Sequence, residues 1–346
     1  MESRDMLYFA SDYMEGAHPA ILQKLVETNL EKTGGYGQDP YSDLARERIR
    51  AACGTPEAEV FFLAGGTQTN ATVIDALLHP WEGVIAAKTG HISNHEAGAI
   101  EAGGHKVIEL MQENGKLSVE TVRRCAEGYR LDDNRDHTVA PGVVYISQPT
   151  ECGTLYSLGE LEALSAVCRE YGIRLYLDGA RLAYALACPE NDAALTDIAR
   201  LCDAFYIGGT KCGTLFGEAV VFPKPGTVPH FFTIVKRHGA LLAKGRIAGL
   251  QFAVLFEDGL YFRIGENAIR CADRIRRALR EKGYRFYIES PTNQIFVVLD
   301  REKRKALEER VVMSFWENLE GDGTAMRLAT GWATTEEDTD RLIQLL

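Results

Sequence analysis

Seven short runs of β-branched, aromatic and small apolar residues mark the first two thirds of the chain: VFFL at 60–63, VIAA at 84–87, KVIEL at 106–110, VVYIS at 143–147, IRLYL at 173–177, AFYI at 204–207 and AVVF at 219–222. Near-continuous apolar runs of this length predict strands buried on both faces. Between them lie amphipathic stretches of helical length. HPAILQKLVETNL predicts one helix, and LGELEALSAVCREYG, with apolar positions three and four residues apart and a terminal Gly172, predicts another. Strand and helix in alternation predict an α/β protein with a mostly parallel sheet of seven strands.

After PKPGTVP at 223–229 the pattern changes to one long helical stretch over 231–283. Strands follow around YRFYI and QIFVVL, with a last strand near MRLAT; DRLIQLL begins a helix that is expected to be either short or trimmed at the terminus. The domain boundary is expected inside the long stretch. Residues 1–245 form the large domain, whose N-terminal segment contributes to the site, and 246–346 form a smaller α+β domain. No fixed-period repeat or low-complexity segment interrupts the pattern.

Composition narrows this picture. A chain of 346 residues, 46% hydrophobic and 25% charged, suits an ordinary folded protein with one large and one small domain. A net charge of −11 with scattered Lys and Arg argues against a nucleic-acid partner. MESRDMLYFASD lacks a basic-then-apolar leader, and no later run is long enough to span a bilayer. A cytoplasmic protein without membrane contact is expected. The eight cysteines show no C-x-x-C pair, so reduced, mostly buried thiols are expected, with no metal.

Ligands of an open parallel sheet bind beyond the carboxyl ends of its strands, and four such places carry distinctive residues. AGGTQTN runs a strand through Gly65, Gly66 and Thr67 into a helix, which makes a seat for phosphate; a glycine turn with a Thr N-cap also explains it. LDGAR sets Asp178 and Arg181 beside one cleft, although Asp-Gly is also a common turn pair. GGTKCG ends a strand on Lys211. Desolvation lowers the pKa of a lysine there, as imine chemistry requires, unless the side chain snorkels to the surface. GHISNHEAG brings His91 and His95 after a strand with no third metal ligand evident, so one ring is better explained as stacking on a flat cofactor. A phosphate seat, a stacking ring, an acid and a strand-end lysine together are what pyridoxal phosphate requires.

The segments FASD, YGQDPY, GGTQTN, GHISNHEAG, QPTECGTLYSL, LDGAR, GGTKCG and MRLATGW cover nearly the whole chain. Through them it resembles the threonine aldolase and β-eliminating lyase family of fold-type-I pyridoxal-phosphate enzymes, in particular its low-specificity, phenylserine-aldolase-like branch. The resemblance implies Lys211 as the Schiff-base lysine, Asp178 as partner of the pyridine nitrogen and His91 as the stacked ring. It implies that Gly66 and Thr67 cradle the phosphate, with Arg246 a further phosphate contact from a neighbouring subunit. Ser11, Arg181 and Arg327 become the clamp on the substrate carboxylate. Tyr36 reaches into the site across a subunit interface, which implies a homodimer or homotetramer. Where typical threonine aldolases carry a histidine, this sequence has Glu151.

The expected activity is cleavage of a β-hydroxy-α-amino acid of the threonine, allo-threonine or phenylserine type to glycine and an aldehyde. A β-eliminating lyase or a transaminase on the same cofactor is the alternative. The proton acceptor is His91, Glu151 or a water between them; an unperturbed glutamate is a weak base, so burial is expected to raise the pKa of Glu151. The absence of a G-x-G-x-x-G pattern removes support for a nicotinamide enzyme.

Overall fold

The structure is a computed structural model that describes residues 6–346; the first five residues, on which part of the reading of MESRDMLYFASD falls, lie outside them. The strand β1 (Leu7–Tyr8) precedes helices α1 (Pro19–Glu27) and α2 (Pro40–Cys53). Proline opens both helices, where its missing N–H costs nothing. The Asp39 carboxylate caps α2 by accepting from the Tyr41 and Ser42 N–H groups at 3.1 and 3.0 Å.

There follow β2 (Glu59–Leu63), α3 (Gly66–Leu77), β3 (Glu82–Ala87), the short α4 (His91–Asn94) and α5 (Ala99–Ala102), β4 (Val107–Leu110) and α6 (Val119–Leu131). The chain continues through β5 (Ala140–Ser147), α7 (Leu158–Tyr171), β6 (Arg174–Asp178), α8 (Leu182–Ala187), α9 (Leu195–Leu201), β7 (Ala204–Gly208) and β8 (Glu218–Phe222). All seven apolar runs lie in strands of one sheet, ordered β2-β8-β7-β6-β5-β3-β4. Only β8 runs antiparallel to its neighbours. Alternate residues feed opposite cores: Val144 and Leu175 pack on one face, Tyr145 and Tyr176 on the other. Burial of both faces explains why the runs read as continuously apolar.

The stretch over 231–283 is three helices, α10 (Phe231–Arg237), α11 (Arg246–Leu255) and α12 (Leu260–Glu281), not one. Left-handed backbone at Gly239 (φ 68°) and at Asp258 and Gly259 (φ 47° and 70°) ends the periodic pattern locally. The expected boundary at 245/246 falls at the start of α11, which packs against α1 and α2. A Cβ on Gly249 would meet Ser42 Oγ at 2.2 Å, so this packing depends on the glycine.

The chain closes with β9 (Arg285–Ile288), β10 (Gln294–Leu299), α13 (Arg301–Glu308), β11 (Val311–Val312), β12 (Ser314–Asn318), β13 (Thr324–Ala329) and α14 (Glu336–Leu345). Four of these strands form an antiparallel sheet, β12-β13-β10-β9, and β1 pairs in parallel with β11. Leu7 and Phe9 are buried in the same core as Ile295 and Met326. That docking brings residues 10–13 to the edge of the large sheet. Among the described residues no helix is long and apolar enough to cross a membrane.

Candidate active site

The carboxyl ends of the parallel strands and the start of β8 meet along one edge of the large sheet. There a cavity of about 280 Å³ is lined by Gly66, Thr67, His91, Asp178, Lys211 and Glu218, among others. Helix α3 starts from Gly65 with no side-chain cap, so its leading N–H groups are not claimed by a capping side chain. They supply partial positive charge at the cavity wall.

Asp178 closes β6 and is 5% exposed. Its carboxylate accepts from the Tyr145 hydroxyl at 2.6 Å, Asn70 Nδ2 at 3.1 Å and the Ala180 N–H at 2.9 Å. Burial pushes this carboxyl up, but the charge of His91 and the hydrogen bonds from Tyr145, Tyr206 and Ala180 hold it below its ordinary value. Its donors are neutral groups. A buried carboxylate kept ionised in this way is suited to receive a cationic ligand atom.

Lys211 lies three residues beyond β7. Burial, with Arg181 close by, lowers its pKa. Its backbone is held by the Tyr184 hydroxyl, which donates to the Lys211 carbonyl at 2.5 Å. The glycines before it serve contact: a Cβ on Gly208 would lie 2.3 Å from the Ala180 carbonyl oxygen, and one on Gly209 2.6 Å from that of Gly217. Beside the lysine, Glu218 is 3% exposed and accepts from the Gly209 N–H at 3.1 Å. Burial raises its carboxyl to about 8.

His91, which lines the same cavity, opens α4. Its Nδ1 is 2.8 Å from Oε1 of Glu96, which lies just beyond the helix. Asn70 Nδ2 donates to the same oxygen at 2.7 Å, so one amide bridges Glu96 and Asp178. The His91 backbone N–H donates to Glu151 Oε1 at 2.9 Å, and Ser147 Oγ donates to it at 2.8 Å. Burial raises the pKa of Glu151, as expected for a glutamate placed here, and Asp178 adds to the effect.

A second cavity of about 610 Å³ shares His91, Glu151, Arg181 and Lys211 with the first and adds Arg327 and Trp316. Arg327, on β13, donates to Gln294 Oε1 and to the Ala10 carbonyl, both at 3.1 Å, while its Nε is buried without a partner. Burial and the nearby Arg181 lower its pKa to about 10. Arg181 binds Asp12 through Nε at 2.6 Å and Nη2 at 3.0 Å. Burial opposes ionisation of Asp12, but Arg181 and Lys211 prevail and hold its carboxyl at about 2.

Residues 8–302 match the beta-eliminating lyase family. The chain belongs to that family. It is 32% identical over 308 residues to a low specificity L-threonine aldolase of a Pseudomonas species, covering 87% of each chain. A second such enzyme, from Pseudomonas aeruginosa, is 31% identical over 305 residues with the same coverage. The solved threonine aldolase of Leishmania major superposes with a TM-score of 0.95 at 42% identity over 98% of both chains. An aspartate aminotransferase of Thermus thermophilus, at 18% identity and a TM-score of 0.71, shares the fold. The protein has the fold-type-I architecture, with the smaller sheet packed as a C-terminal unit.

Pyridoxal phosphate is the cofactor of such enzymes, and the residues here fit it. The uncapped start of α3 suits the phosphate, Asp178 the ring nitrogen, and Lys211 with its lowered pKa the aldehyde carbon. Of the residues named from this lyase sequence, Gly66, Thr67, His91, Glu151, Asp178, Arg181, Lys211 and Arg327 line the two adjoining cavities. Ser11 does not line them, although Ala10 and Asp12 on either side of it bind Arg327 and Arg181. Tyr36 lines a separate cavity of about 460 Å³, together with Gly245. Arg246 donates to the Thr28 carbonyl at 2.9 Å, and its Nη1 is buried without a partner.

Sequence reasoning missed Asp12, Asn70, Glu96, Tyr145 and Glu218 as parts of the site. Asn70 and Glu96 lie inside the GGTQTN and GHISNHEAG segments, where a polar residue later proved buried was the available signal. The eight cysteines are free thiols, seven of them buried; burial pushes Cys152 up to about 12 and Cys212 higher, so neither is poised as a nucleophile.

Proposed function

We propose that this protein cleaves a β-hydroxy-α-amino acid of the threonine, allo-threonine or phenylserine type to glycine and an aldehyde, with pyridoxal phosphate held by Lys211. The observation that carries the reading is a buried carboxylate, Asp178, held below its ordinary pKa by the charge of His91 and by hydrogen bonds, in one cavity with a lysine of lowered pKa. Names of the relatives at 31% and 32% identity point to the same substrate class.

The cofactor, when bound, supplies a ring that accepts the electron pair released from the Cα–Cβ bond. Asp178 holds a proton at the ring nitrogen. Arg327, whose Nε lacks a partner, fixes the substrate carboxylate, assisted by the Arg181–Asp12 pair. Glu151 takes the proton from the β-hydroxyl, because its raised pKa brings it towards the working pH of a general base. Its Oε1 is engaged by Ser147 and His91, which leaves Oε2 for that proton. His91 lines the same cavity as Asp178 and Lys211.

Two further parts of the reading concern assembly and place. A homodimer or homotetramer would let Tyr36 and Arg246 reach a neighbouring protomer's site; both lie outside the two cavities, and Arg246 carries an unpartnered donor. The cytoplasm suits free thiols.

Incubation of the cofactor-loaded protein with threonine, allo-threonine and phenylserine tests the activity. Glycine and the matching aldehyde are expected. A keto acid in their place would assign β-elimination or transamination and overturn the aldolase reading. Lys211→Ala is expected to abolish both glycine formation and the borohydride-sensitive visible band.

A further inference from the structure

Glu151 and Asp178, the two carboxyl groups with opposite duties in the proposed cleavage, are joined by two hydroxyls. In the β5–β6 register Ser147 stands opposite Asp178, and Tyr145 opposite Tyr176. The period of two puts Tyr145 and Ser147 on one face. Ser147 Oγ is 2.8 Å from Glu151 Oε1 and 3.3 Å from the Tyr145 hydroxyl oxygen, and Tyr145 donates to Asp178 Oδ2 at 2.6 Å. Ser147 and Tyr145 are 8% and 1% exposed, so bulk water does not compete for these bonds.

Proton counting makes this bridge directional. A serine hydroxyl owns one proton, and so does a tyrosine hydroxyl. The Tyr145 proton is taken by Asp178, which leaves the Tyr145 oxygen as an acceptor. The Ser147 proton therefore serves either Glu151 Oε1 or Tyr145, not both. A hydrogen bond to an ionised carboxylate is roughly twice as strong as one to a neutral oxygen. Ionised Glu151 draws the Ser147 proton; neutral Glu151, with its own proton on Oε2, releases it towards Tyr145.

Resting on the aldolase reading, we propose that Ser147 and Tyr145 are positioning residues: the hydroxyl of Ser147 turns between Glu151 and Tyr145 and thereby decides how readily Glu151 gives up its proton. The proton that leaves Oε2 passes into the cavity that Glu151 lines. Other charged groups also face Glu151. His91 and His95 come from beyond β3, Asp178 and Arg181 from the end of β6, Lys211 from beyond β7 and Arg327 from β13. In its own loop Cys152 and Tyr156 stay neutral because burial pushes both up. None of these groups is altered by substitution at Ser147, which isolates the hydroxyl.

The test follows the infrared C=O stretch of protonated Glu151 across pH in the cofactor-loaded protein, with the band identified by its loss in Glu151→Gln. Ser147→Ala is expected to move the titration up by about one pH unit, the size of one charge-assisted hydrogen bond. Ser147→Thr, which keeps the hydroxyl, returns it. Tyr145→Phe removes the alternative acceptor, together with one of the three donors to Asp178, which keeps Asn70 and Ala180, and moves the titration down. The acid limb of glycine formation shifts in the same order. An unmoved titration in Ser147→Ala, or an unmoved or rising one in Tyr145→Phe, overturns the proposal. Absence of glycine formation by the unsubstituted protein overturns the aldolase reading instead, and the infrared result still reports on the bridge.

Discussion

Nδ1 of His91 lies 2.8 Å from Oε1 of Glu96, a carboxylate whose side chain has no exposed surface. Because Asn70 already donates to that oxygen, the carboxylate acts as acceptor and His91 Nδ1 as donor. In the neutral imidazole the proton is thereby fixed on Nδ1, which leaves Nε2 as the acceptor. Glu96→Gln offers an amide donor in place of the acceptor and favours the opposite tautomer. The expected result is a ~10- to 100-fold fall in kcat for glycine formation, the equivalent of losing ~1.5–3 kcal/mol, with KM for the amino acid little changed. Steady-state kinetics on phenylserine check it.

The Asp12–Arg181 pair predicts a pH-dependent stability. The folded carboxyl sits at about 2 against an ordinary 3.8, so its contribution is present above about pH 4 and is lost as pH falls through about 2. The depression corresponds to ~2 kcal/mol. Asp12→Asn should lower the urea-unfolding free energy at neutral pH by at least that amount, since it leaves Arg181 buried without its counter-charge. The gap between variant and parent should close as the pH is brought towards 2.

Glu218 carries the opposite sign. Its folded carboxyl, raised by burial to about 8, holds a proton that an unfolded chain releases near 4.5. Stability is therefore full below the unfolded value and declines as pH rises from there through about 8. Glu218→Gln keeps the shape without the proton. Thermal melts between mildly acidic and mildly alkaline pH should show a flatter Tm profile for the variant than for the parent.

Gly179, just past the end of β6, lies against the backbone of β7. A Cβ there would lie 2.0 Å from the Tyr206 carbonyl oxygen, which is backbone and cannot swing aside. Gly179→Ala must spread the two strand ends, one carrying Asp178 and the other leading to Lys211. Overpacking of this kind costs ~1–3 kcal/mol. A lower Tm together with less bound cofactor per chain is expected; unchanged cofactor content with a lowered Tm would mean that the strain is absorbed elsewhere.

Much of the large domain was legible from pattern. All seven apolar runs became strands, because a strand buried on both faces needs apolar residues at every position and so announces itself locally. The Gly172 helix stop was equally plain, its φ of 71° being a backbone requirement. The long stretch over 231–283 misled, since its apolar periodicity persists through turns where Gly239, Asp258 and Gly259 take left-handed backbone. Strand β12 was missed because half-exposed residues such as Phe315 and Glu317 carry little apolar signal, and β1 and β11 are two residues each.

The sequence by itself determined the alternation of strand and helix, the glycine pairs that permit close backbone approach, and the identities of the groups at the strand ends. Those are local properties, decided by side-chain period and backbone freedom. Only the tertiary structure decided which polar groups meet. Asn70 reaches Glu96 across 26 positions and Asp178 across 108, and Arg181 reaches Asp12 across 169. Such partners are chosen by strand order and register, and burial then turns each meeting into a shifted pKa. An acid, a lysine and a histidine can be read one at a time along the chain; their charges depend on neighbours that only folding supplies.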